Sequence, residues 1–134
     1  MTAIIDIEGI GENYAAKLKE AGIVTVEALL TAGNTPKGRD ALAEQTGITG
    51  KLILKWVNHA DLFRIHGVAG QFAELLEAAG VDTVAELARR NAQNLQEALA
   101  STNEAKKLAG STPSLSQVEK WIAEAKDLPR GVEY

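Results

Sequence analysis

The residues of this chain whose types and spacing can do chemistry are three short glycine turns, Gly9-Ile-Gly11, Gly47-Ile-Thr-Gly50 and Gly67-Val-Ala-Gly70. Each precedes a stretch with helical patterning, so each sets backbone N–H groups at a helix start, where they lack a partner within the helix and the helix dipole is positive. Glycine allows the positive φ of a tight turn, the apolar middle residue packs inward, and the amides that open the next helix point outward. Such a cradle accepts a phosphate oxygen. Charge ranks the three. Glu8 and Glu12 flank the first turn and repel an anion, whereas Lys51 and Lys55 stand behind the second, and Arg64 and His66 precede the third. The candidate phosphate-binding set is therefore Gly47, Thr49, Gly50, Lys51 and Lys55 at the second turn, with Arg64, Gly67, Ala69, Gly70 and Gln71 at the third. Lys51 and Lys55 lie one helical turn apart, opposite a stripe of Ile53, Trp56 and Val57, and share a solvent face. Arg89-Arg90 reads as a solvated helix end and Lys106-Lys107 as a further basic pair.

Other chemistry has little to build on. The chain has no Cys, which removes disulfides, thiolate metal sites and a cysteine nucleophile. It holds no Walker lysine loop, no nucleophile elbow and no His-Glu-x-x-His, and its carboxylates are scattered at helical surface spacing. His59 and His66 are separated by a predicted helix end, with no acid to complete a metal site. The expectation is a non-enzyme with no metal and no cofactor. Trp56 and Trp121 sit on apolar stripes and read as core anchors rather than base-stacking platforms, as do Tyr14 and Phe72.

The elements that must position these turns occur twice. Sliding the chain by 58 residues lays Ile7-Glu-Gly-Ile-Gly-Glu-Asn-Tyr-Ala15 over Ile65-His-Gly-Val-Ala-Gly-Gln-Phe-Ala73, and the match continues through Leu18/Leu76, Gly22/Gly80, Thr25/Thr83 and Leu29/Leu87. Lys55-Trp-Val57 lies over Lys120-Trp-Ile122 at a shift of 65, which puts about seven extra residues in the second copy, near 102–114. The copies are expected at 1–62 and 63–134, with no flexible linker at the join. In each, helical periodicity follows the glycine turn and stops at Gly22 or Gly80. Thr25, Thr35, Thr83 and Ser114 read as N-caps, and Thr83-Val-Ala-Glu86 and Ser114-Leu-Ser-Gln117 have capping-box spacing. The counterpart of the helix that begins at Pro36 is predicted over Ala92 to Ala100. Nothing alternates with a period of two beyond Ile5-Asp6-Ile7, so the expected class is all-α.

Composition agrees. With 46% apolar residues but only two each of Trp, Tyr and Phe, the core must be mostly Leu, Ile, Val and Ala, which suits close-packed helices. A net charge of −4 argues against bulk electrostatic capture by nucleic acid or an anionic membrane. No run of about 20 apolar residues and no basic leader occurs, so no membrane partner and a cytoplasmic location are expected.

The pattern Gly-hydrophobic-Gly, or its one-residue-longer variant, followed by Ala and then Leu one turn on, resembles the helix-hairpin-helix motif. The whole chain, through Ile7-Glu-Gly-Ile-Gly11, Leu52-Ile-Leu-Lys-Trp-Val57, Arg64-Ile65, Leu75-Leu-Glu-Ala-Ala-Gly-Val81 and Leu87-Ala-Arg-Arg-Asn91, resembles the bacterial domain-of-unknown-function family 4332, DUF4332. The resemblance implies a helix-hairpin-helix-like fold and an association with nucleic acid in which hairpin amides grip the backbone without reading sequence; with the duplication and the linker-free join, the expected architecture is tandem duplicated helix-hairpin-helix-like repeats packed as one body. It implies no activity. Ala69 stands where the first hairpin has Gly11, and the fourth hairpin, near Gly110-Ser-Thr-Pro113, lacks the glycine spacing. The first hairpin has only about eight residues before it, so the complete unit is the helix from Gly50 to Leu62, the turn at Gly67 to Gly70 and the helix from Gln71 to Ala79. The reading that follows is a weak, sequence-independent nucleic-acid-backbone binder. The competing reading, from the acidic balance, is a protein-interaction or self-association module, including a homodimer, that ignores nucleic acid.

Overall fold

The computed structural model describes residues 2–134 and contains, after a 3-10 turn at Ile4–Asp6, eight α-helices: α1 Glu12–Glu20, α2 Val26–Gly33, α3 Pro36–Thr46, α4 Gly50–Leu62, α5 Gly70–Ala78, α6 Val84–Ala88, α7 Ala92–Lys106 and α8 Leu115–Asp127. The only β-pairing among the described residues is an isolated antiparallel bridge between Ala3 and Thr25. The chain is all-α. It divides into two compact units, 1–61 with 131–134, and 62–130.

The helix starts follow from short polar side chains. Thr25, Thr35, Thr83, Asn91 and Ser114 each accept a hydrogen bond from the amide three residues on, satisfying one of the donors a helix start leaves open. Ser114 and Gln117 form the full reciprocal box, at 3.2 and 3.0 Å. Thr83 departs from the expected box: it accepts from the Glu86 amide at 3.3 Å, but the Glu86 carboxylate is drawn to Arg90, 3.7 Å away on the next turn. Gly22, Gly47 and Gly80 end helices in the left-handed region, with φ of +83, +74 and +95.

In the first unit α2 packs on α3, and α1 on α3 and the 3-10 turn. The apolar stripe of α1–α4 supplies the core, with Leu18, Leu29, Ile53 and Val57 fully buried. Gly33 is buried because α4 passes close over it; a β-carbon there would come within 2.6 Å of Val57 Cγ2. Residues 131–134 belong to this unit, whereas the sequence assigned them to the second copy. Glu133 N donates to Asn34 O at 2.7 Å, the buried Arg39 donates to the carbonyls of Gly33 and Glu133 at 2.9 and 2.7 Å, and Tyr134 Oη donates to Asn58 at 2.9 Å. These are mostly backbone-directed bonds, which a side-chain pattern does not announce.

In the second unit α8 packs on α6 and α7, and α5 on α7. Leu75, Leu76, Leu87, Leu95, Leu99, Val118 and Trp121 form its continuous core. α7 runs to Lys106 rather than Ala100, so part of the extra length expected near 102–114 is helix: α7 has 15 residues and α3 has 11. The cause is Asn103, whose buried side chain bonds both the carbonyl and the amide of Ala109 and folds the following loop back onto the helix, after Lys107 turns left-handed at φ 53.

Candidate nucleic-acid interface

The first and third glycine turns are built alike. Ile10 N donates to Ile7 O at 3.1 Å, and Val68 N donates to Ile65 O at 3.1 Å; between them Gly9 and Gly67 take φ of +92 and +86. The aliphatic residue after the glycine is buried in each, Ile10 and Val68, which forces the following backbone to the surface. Beneath each glycine lies a tryptophan: a β-carbon on Gly9 would be 3.7 Å from Trp56 Nε1, and one on Gly67 would be 3.4 Å from Trp121 Nε1. Each indole is packed against the next helix by a ring, Tyr14 on Trp56 at 5.0 Å between centroids and Phe72 on Trp121 at 5.5 Å. The tryptophans are core anchors, 1% and 3% exposed.

The helices that leave these two turns start differently from the others. Gly11 caps α1 and Ala69 caps α5 with extended backbone, and neither has a side chain to receive the first amides. The N–H groups of Gly70, Gln71 and Phe72 donate to no acceptor among the described residues. Ala69 and Gln71 are exposed and Gly70 half-buried. α5 has no acidic residue in its first turn, whereas α1 carries Glu12 there, an in-built anion that competes for the same dipole.

The second turn is of another kind. Gly47 is the left-handed stop of α3, its amide donating to Ala43 O at 2.9 Å, and only Ile48 and Thr49 separate it from α4. Ile48 is buried, and Thr49 Oγ1 receives the Leu52 amide at a long 3.4 Å. The amides of Gly50 and Lys51 are left without an acceptor among the described residues. Lys51 is exposed at this helix start and Lys55, one turn on, is half-buried.

Two charges expected to assist the third turn are engaged elsewhere. Arg64 Nη2 donates to the Pro129 carbonyl at 2.7 Å. The His66 amide donates to Glu124 Oε1 at 3.1 Å and its ring Nδ1 lies 3.0 Å from Glu124 Oε2. The carboxylate of Glu124, 58 residues away in the chain, therefore sits at the turn. Gln71 Oε1 accepts from the Gly110 amide at 3.3 Å, joining the turn to the loop after α7. Glu124 carries no motif of its own. The route to it from sequence runs through Trp121: once that indole is placed under Gly67, the residue three further along α8 falls beside His66.

Comparison with known families matches this chain over residues 8–128 to the domain of unknown function DUF4332. The chain belongs to the DUF4332 family. No significant match to a curated protein or to a solved structure is found. Among the described residues of this DUF4332 chain, no group of three or more His, Cys, Asp or Glu could hold a metal, and no helix is long and apolar enough to cross a membrane.

Proposed function

We propose that this DUF4332 chain is a non-enzymatic module that binds the phosphate backbone of nucleic acid, weakly and without sequence preference, through the amides that open α5, with those that open α4 as a second point of contact. The observation that carries the reading is the selective lack of caps. Where α2, α3, α6, α7 and α8 have a hydroxyl or amide side chain over their first turn, α5 presents Ala69 and three open N–H groups on an exposed glycine turn. An uncapped helix start costs stability, and a phosphate oxygen supplies the acceptor that the chain does not. Lys51 supplies an exposed cation at the start of α4. The net charge of −4 and Glu124 beside the third turn keep such binding weak.

The test is an amide NMR titration of labelled protein with a short DNA duplex and with a single strand, at low and at raised salt. Shifts concentrated at Gly50, Lys51, Gly70, Gln71 and Phe72, weakening steeply with salt and with Lys51→Glu, are expected. Silence at these amides in millimolar nucleic acid overturns the reading.

A further inference from the structure

The two units end their glycine-turn helix in the same way. Gly22 follows α1 and Gly80 follows α5, both left-handed, and the next apolar residue folds its amide back onto the helix, Ile23 to Leu18 O at 2.9 Å and Val81 to Leu76 O at 2.8 Å. What stands over the glycine differs. In the second unit Arg90 lies across Gly80: its Nη2 donates to the Gly80 carbonyl at 2.8 Å and would meet a β-carbon there at 3.2 Å, and Glu86 holds the Nε side of the guanidinium at 3.7 Å. In the first unit no described residue other than the chain neighbours stands within 4 Å of the same point on Gly22, and a groove of about 570 Å³ opens there.

The sequence explains the opening. At the shift of 58, Ala32 stands where the second copy has Arg90, and Ala28 stands where it has Glu86. Both alanines line the groove, with Ile23 and Leu42 as its apolar wall. Gly38 lies against the Ala32 carbonyl with no room for a β-carbon, so the wall of the groove is backbone at this point. The lining includes Glu27 and, among the described residues, no Lys or Arg. Ala21 and Gly22, which follow the last turn of α1, close the groove on its other side.

We propose that this groove docks a partner protein that fills it with an arginine, the guanidinium donating to the Gly22 carbonyl as Arg90 donates to Gly80 in the second unit. Charge complementarity sets the sign of the occupant: Glu27 is the one charged residue among the described residues that line the groove, and it stands on a chain of net charge −4, so a cation is favoured. The apolar wall favours a long stem, and arginine has both the stem and a planar fork that can serve the Gly22 carbonyl and Glu27 together. The Glu27 carboxyl is held below its ordinary range by a hydrogen bond from the Thr2 amide, so it is ionised at neutral pH. The inference stands apart from the nucleic-acid reading, since it concerns the first unit and a cationic occupant.

The test uses the full chain, isotopically labelled, and the capped peptide Ac-Leu-Ala-Arg-Arg-Asn-NH2, which carries the sequence of residues 87–91. Saturable shifts at Gly22, Ile23, Ala28 and Ala32 are expected, with at least a tenfold loss of affinity when both peptide arginines are replaced by alanine. Ala32→Arg, which places the second copy's own arginine in the groove, should abolish the response. Glu27→Gln, which keeps the shape, should weaken it at least threefold. Absence of shifts around Gly22, an equal response to the alanine peptide, continued binding to Ala32→Arg, or indifference to Glu27→Gln overturns the proposal. Sedimentation of a concentration-dependent dimer that Ala32→Arg dissociates assigns the groove to a second copy and overturns it as well.

Discussion

Trp121 Nε1 lies 3.4 Å from the point that a β-carbon on Gly67 would occupy, and Gly67 holds a φ of +86. Gly67 is fixed by its left-handed backbone, and the indole packs directly beneath it. Gly67→Ala meets the backbone strain and should lower stability by about 1–2 kcal/mol. Trp121→Ala removes the floor of the turn and should cost about 3–5 kcal/mol. Urea unfolding followed by helical circular dichroism measures both, and a Gly67→Ala variant as stable as the parent would show that the turn tolerates a side chain.

The glycine turns, the helix stops and most caps were legible because each is a local device: Gly22, Gly80, Thr25, Thr35 and Ser114 act on neighbours within four residues. The apolar stripes were legible for the same reason, and they place Trp56 and Trp121 in the core. What escaped depends on distant partners. Glu86 has capping-box spacing, but a side chain chooses the better partner available, and Arg90 is one turn away. Arg64 was expected to assist the third turn, but it donates to the Pro129 carbonyl at 2.7 Å. Arg39 and residues 131–134 had no signal because, apart from the Tyr134 hydroxyl on Asn58, their bonds described above go to backbone carbonyls, which every sequence has.

Gly38 lies in the first turn of α3 with the Ala32 carbonyl where its β-carbon would be, and Thr35 Oγ1 would stand 3.2 Å from that carbon. The obstacle is backbone and cannot swing aside. Gly38→Ala should destabilise the chain by about 1–3 kcal/mol despite alanine's better helix propensity. A thermal midpoint that rises would show that the α2–α3 turn relaxes to admit the methyl group.

Glu27 gives the acid limb of stability a testable component. The Thr2 amide bond, and one from its own amide, lower its carboxyl below the ordinary value of 4.5. Since the folded value is the lower one, this contribution is present above 4.5 and fades as the pH falls through the folded value. Solvent around the exposed carboxylate keeps the effect small. Glu27→Gln should be slightly less stable than the parent at neutral pH, and the two urea midpoints should converge in acid; a gap that stays constant with pH rejects the linkage.

Glu124 opposes anion binding at the third turn by standing on the His66 amide and ring. Glu124→Gln keeps an acceptor oxygen there and removes the charge. Affinity for a single-stranded DNA should rise about twofold to fivefold, the effect of lifting a repulsion of roughly 0.5–1 kcal/mol near solvent. Fluorescence anisotropy at low salt reads the change, and an unaltered affinity places the bound phosphate away from this turn.

Ala69 separates stability from function at one atom. Its backbone, with φ −143 and ψ −178, already has the extended geometry of an N-cap, but alanine has no acceptor for the α5 amides. Ala69→Asp supplies one and adds a negative charge at the positive end of the helix, so the variant should be more stable by about 1 kcal/mol. The same carboxylate occupies the place proposed for a phosphate oxygen, so nucleic-acid binding should be lost in the more stable protein. Gly11→Asp at the start of α1, where Glu12 already stands, should stabilise with little effect on binding. Paired urea unfolding and anisotropy on the two variants decide the matter: if Ala69→Asp gains stability and still binds as the parent does, the α5 amides are not the contact and the open helix start serves only to reverse the chain.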